Sequence, residues 1–60
     1  MRRYRATFWV GDDHDEIEYG SAHRNGSRAN REDAMQAIRR RKGRYIWERA
    51  ELSRTWLVHD

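Results

Sequence analysis

The sequence has neither cysteine nor proline among its 60 residues. Without thiols, no disulfide framework and no cysteine-held metal cluster can brace the chain, so a packed core or a partner must do so. Aliphatic residues are scarce as well. Leu, Ile, Val and Phe together number eight of 60, below the fraction of about a fifth under which disorder competes with folding. No apolar run reaches the length of a membrane span, and Met1-Arg2-Arg3-Tyr4-Arg5 leads into an alternating segment instead of a secretory core. A cytoplasmic protein without a membrane partner is the expectation. The length excludes two-domain enzymes and large cofactor folds, so residues 1–60 are expected to form a single compact domain.

What the chain does have is aromatic surface and charge. Three Trp, three Tyr and one Phe supply large buriable side chains, charged residues make up 38%, and the net charge is only +3. Residues 3–10 alternate: Tyr4, Ala6, Phe8 and Val10 point one way, Arg3, Arg5, Thr7 and Trp9 the other, the period of a half-buried strand. Residues Gly11 to Asp15 form a turn by composition, and a second strand follows with Ile17 and Tyr19 opposite Glu16 and Glu18. Registers that set Phe8 beside Ile17 or Tyr19 keep the apolar sets together and bring Arg3, Arg5 and Trp9 beside Glu16 and Glu18. Gly20 marks a bulge or a strand end.

The period then changes. Asn30 reads as a helix N-cap, Glu32 and Asp33 place negative charge in the first turn, and Ala34, Met35, Ala37 and Ile38 form an apolar stripe. The run Arg39 to Lys42 suits the helix C-terminus and Gly43 its stop, giving a helix over about residues 31–42. Tyr45 to Leu52 reads as strand by its aromatic start and as helix from Trp47 onward, and either strand parity buries Glu48 or Arg49. With Ser53-Arg54 as a turn and residues 55–58 as a strand, the expected fold is α+β: a small antiparallel β-sheet in the order β-β-α-β-β, with one helix packed on one face. The helical alternative for 45–53 stays open.

Such a helix covers one sheet face, and the other carries Trp9, with Tyr45 or Trp47 nearby. Trp and Arg are favoured anchors at interfaces; the competing explanation is packing of Trp9 beneath the C-terminal hairpin or an arginine stem. Two surfaces are therefore candidates for partner binding: the open face, with Arg3, Arg5, Trp9, Glu18 and Trp47, and the acidic turn, with Asp12, Asp13 and Asp15. A second copy could pair through the same open face. The acidic stretch lacks the ligand spacing of a calcium loop, His14, His23 and His59 lack zinc-site spacing, and no phosphate loop or nucleophile motif occurs. Neither a metal, a cofactor nor catalysis is expected.

Charge is also segregated. Residues 19–44 carry eight basic and two acidic side chains, and twelve of the thirteen cations are Arg. The cluster Arg39, Arg40, Arg41, Lys42 and Arg44 is the candidate for an alternative role in nucleic-acid binding, helped by exposed aromatics as stacking platforms. Against it stand the acids of the first hairpin and the acidic start of the helix, which repel phosphates.

The β-β-α-β-β order, the short length and the capped helix from Ser27 to Ile38 with Ala34 and Ala37 on its packing face resemble, in layout, small phage-encoded proteins directed against host machinery, type I anti-CRISPR proteins above all. No family motif carries residue roles across. The resemblance implies a non-enzymatic inhibitor that occupies a surface of a larger host protein or ribonucleoprotein assembly, such as a CRISPR effector complex.

Overall fold

The computed structural model describes all residues, 1–60. Strands β1 (Arg2–Val10) and β2 (Asp13–Ser21) form a hairpin, helices α1 (Arg28–Lys42) and α2 (Arg44–Arg49) follow, and β3 (Glu51–His59) closes the chain. The fold is a small α+β domain, as the alternating and helical periods require. Its order is β-β-α-α-β, however, because residues 44–49 are helical and only one strand follows them. The physical reason lies in the parity conflict at Glu48 and Arg49. A helix leaves both exposed while Ile46, Trp47 and Ala50 turn together toward the core. Pairs at i,i+4 support it: Arg44 Nε lies 3.7 Å from Glu48 Oε2, and the Arg49 guanidinium sits 3.7 Å from the Tyr45 ring centroid.

The sheet order is β2-β1-β3, both pairings antiparallel. β2 and β3 thus run parallel on either side of β1, and the helical connection between them crosses one face, a split β-α-β arrangement. The hairpin turn is tighter than its composition suggests. Only Gly11 and Asp12 lie between the strands, and Gly11 takes φ 60 while no non-glycine residue has positive φ, the pattern of a type II′ turn. The register sets Phe8 opposite Asp15, Ala6 opposite Ile17 and Tyr4 opposite Tyr19. This shifts the expected pairing of Phe8 along the strand but keeps every side chain on its expected face. Gly20 is no bulge: it pairs with Arg3 inside the strand, and a Cβ there would come within 2.7 Å of the Met1 sulfur and 3.0 Å of an Arg3 nitrogen.

Tyr4, Ala6, Phe8, Ile17 and Tyr19 meet Ala34, Ala37 and Ile38 in a fully buried core. The alanines bring α1 close to the sheet, so eight apolar residues suffice. Ser27, not Asn30, caps α1, its hydroxyl accepting from the Asn30 N–H at 3.2 Å, and Glu32 and Asp33 therefore fall beyond the first turn. Asn30 is instead buried in the core. Its Oδ1 accepts from Tyr19 Oη at 2.7 Å and from the Gly26 N–H at 3.3 Å, while Nδ2 donates to the His23 carbonyl at 3.1 Å. Ser53-Arg54 is not a turn but part of β3. No helix is long and apolar enough to cross a membrane.

Candidate functional site

Both helices lie on one side of the sheet, so the opposite face has no cover. On it stand Arg3, Arg5, Thr7 and Trp9 from β1 and, across from them on β2, Gly20, Glu18, Glu16 and His14. Arg3 binds Glu18 through Nε at 3.1 Å and Nη2 at 3.0 Å; Arg5 bonds Glu16 and lies 3.7 Å from the second Glu18 oxygen. Trp9 packs against His14 with the rings tilted and their centroids 4.3 Å apart, and it remains 42% exposed. The hydrogen bond from Arg3 holds the Glu18 carboxyl below the usual carboxylate range, with the charges of Arg3 and Arg5 acting in the same sense. Alternation thus located Arg3, Arg5, Trp9 and Glu18 correctly on one surface.

β3 extends that face in a way alternation alone cannot foretell. Its register against β1 breaks twice, skipping Ser53 and Val58. Arg54 and Trp56 face the open side by alternation, and the breaks add Glu51 and His59 to it, so the four stand opposite Thr7, Arg5, Trp9 and Arg3. Trp56 thus stands half-buried on the open face with the Arg54 guanidinium 5.3 Å from its ring centroid. The face carries Arg3, Arg5 and Arg54 against Glu16, Glu18 and Glu51, so its formal charge balances around two tryptophans.

The remaining candidates sit elsewhere. Trp47 belongs to α2 on the helical side, where it packs against the core edge beneath the Arg39 guanidinium, 4.5 Å from the ring centroid. There it lines an open groove of about 650 Å³ with Glu32, Met35, Gln36 and Glu48, and it is no part of the open face. Asp13 and Asp15 pair with Val10 and Phe8 and so take the parity of the helix side, and Asp12 occupies the turn. Asp15 is not free for a partner: its Oδ1 accepts the Glu16 N–H at 2.8 Å and its Oδ2 lies 3.3 Å from Lys42 Nζ. The backbone donor, more than Lys42, lowers the Asp15 carboxyl below its usual range.

The basic cluster is likewise occupied internally. Arg39 covers Trp47, Arg41 donates to the Glu18 carbonyl, Lys42 meets Asp15 and Arg44 meets Glu48. Arg40 alone has no such contact. The acidic hairpin and the basic helix end, separate candidates by sequence, meet at the Lys42–Asp15 pair. No three His, Asp or Glu side chains converge as metal ligands.

No protein-family model, curated protein or solved structure matches this chain.

Proposed function

We propose that this chain is a non-enzymatic binding protein whose open sheet face docks on a protein surface of a larger assembly. The observation that carries the proposal is the charge-balanced face itself: three Arg, three Glu and two Trp held in place by neighbouring strands, with no element of the chain covering them. Rigid amphipathic aromatics ringed by paired charges suit a protein partner, because they bring contact area at small entropic cost and little net field. The type of target, a host assembly such as a CRISPR effector complex, comes from the resemblance in layout alone, and the second helix departs from that layout.

Nucleic-acid binding through Arg39, Arg40, Arg41, Lys42 and Arg44 is the alternative reading. Four of these five already have intramolecular partners, which phosphates would need to displace. The two readings separate in one experiment. Tagged chain is used to capture partners with and without nuclease, alongside Trp9→Ala, Trp56→Ala and Arg40→Ala/Arg41→Ala variants. A protein captured after nuclease treatment, lost with either tryptophan variant and retained with the arginine pair, supports the proposal. Capture lost only with the arginine pair, or binding to DNA that falls steeply with salt, replaces it with the nucleic-acid reading.

A further inference from the structure

A three-stranded sheet has two free edges, and here they differ. The β2 edge carries four acids, Asp13, Asp15, Glu16 and Glu18, the last three paired with cations of this chain, and a second β2 laid against it would crowd acid beside acid. The β3 edge, Glu-Leu-Ser-Arg-Thr-Trp-Leu-Val-His, has no Lys, no Pro and no row of one sign, and its two bulges flank an unbroken stretch from Arg54 to Leu57. It also leaves apolar surface uncovered: Leu57 is 45% and Val58 40% exposed.

The two register breaks give this strand an internal symmetry. Glu51, Arg54, Trp56 and His59 all face the open side, so charge and ring lie at equal distances on either side of Thr55. Arg54 and Trp56 flank it directly, and Glu51 and His59 stand at the ends. Two copies paired antiparallel about a two-fold axis normal to the sheet must set residues of the same face opposite each other. Centred on Thr55, that pairing places Arg54 opposite Trp56 of the second copy and Glu51 opposite His59 of the second copy, each twice. It also brings Val58 against Leu52 of the second copy. Centring on Arg54 would set two guanidinium groups face to face, and centring on Trp56 would oppose Arg54 to Val58. Of these registers, only the one about Thr55 sets Arg54 on an indole and Glu51 beside an imidazole with no like charges opposed.

We infer that the chain forms a symmetric homodimer through antiparallel pairing of β3 with β3 of a second copy, in register about Thr55. The product is a six-stranded sheet with both helical layers on one side and one continuous open face on the other. The inference does not depend on the proposed function: Trp9, on the central strand β1, reports on the face alone, His59 at the end of the edge strand reports on the pairing, and Trp56 belongs to both.

Sedimentation equilibrium across the micromolar to millimolar range tests it, together with directed cross-linking. The chain has no cysteine, so each substitution introduces a single thiol. Thr55→Cys is expected to give a disulfide-linked dimer on mild oxidation, whereas Arg54→Cys and Trp56→Cys, displaced from their own counterparts by more than a disulfide spans, are not. His59→Glu sets Glu opposite Glu twice and is expected to weaken the dimer about tenfold, with Glu51→Arg added to it restoring association. Unchanged far-UV circular dichroism and melting temperature separate these effects from misfolding. A wild-type chain that stays monomeric at every concentration overturns the inference. So does cross-linking at Trp56→Cys in place of Thr55→Cys, or a dimer that dissociates with Trp9→Ala but ignores His59→Glu.

Discussion

Tyr19 Oη donates to Asn30 Oδ1 at 2.7 Å, joining the edge strand β2 to the first turn of α1 through a fully buried hydrogen bond. Asn30 distributes its amide among Tyr19, Gly26 and His23, so one side chain satisfies three groups from three segments. Asn30→Ala would strand them together. An expected loss of about 2–4 kcal/mol follows, against about 1 kcal/mol for Tyr19→Phe, which leaves two of the three bonds intact. Urea unfolding of the three proteins measures both, and equal losses would show that the amide has no such joining role.

Burial raises the Tyr19 hydroxyl above its ordinary value. The folded chain thus keeps its proton where the unfolded chain gives it up. Tyr19 stabilises the fold fully below about pH 10, and this contribution is lost as pH rises through the higher folded value. Tyr19→Phe is expected to flatten the alkaline limb of a stability–pH profile without altering its acidic limb.

The acidic limb belongs to Asp15 and Glu18, both lowered in the folded chain, by the Glu16 N–H and by Arg3 respectively. For lowered carboxyls the stabilisation is complete above their unfolded values and disappears as pH falls through the folded ones. Stability should therefore decline from about pH 5 downward. Asp15→Asn combined with Glu18→Gln is expected to reduce that slope, read by thermal melts at successive pH values.

At the hairpin turn, Gly11 holds φ 60 with open space where a Cβ would point. Gly11→Ala meets no clash, so its cost is conformational, about 1–2 kcal/mol. Chemical denaturation reads it, and a neutral result would mean that the turn relaxes to another type.

Trp9 and Trp47 separate binding from stability. Trp9→Ala removes a half-exposed ring from the open face and is expected to change stability by less than about 1 kcal/mol while abolishing partner capture. Trp47→Ala takes a ring from beneath Arg39 at the core edge and is expected to cost about 2–3 kcal/mol with capture retained in the folded fraction. The opposite pattern would place the interface in the α1–α2 groove.

Much of this layout was legible without coordinates. Alternation through residues 3–10 and at Ile17 and Tyr19 decides which side chains share a face, because successive strand residues point to opposite sides whatever the rest of the chain does. The stripe of Ala34, Ala37 and Ile38 and the basic, glycine-stopped end of α1 are equally local. The other outcomes depend on contacts distant in sequence. Residues 44–49 have mixed preferences, and their helix is decided by burying Ile46 and Trp47 against the core edge while releasing Glu48 and Arg49 to water. The two skipped residues of β3 appear only when that strand is laid against β1, and they bring Glu51 and His59 onto the open face beside Arg54 and Trp56. The meeting of Lys42 with Asp15 and of Arg41 with the Glu18 carbonyl is likewise a product of the crossover above the sheet. The few aliphatic residues fixed how much core this protein can have, enough for one face of a sheet; only the packed structure decided what the other face displays.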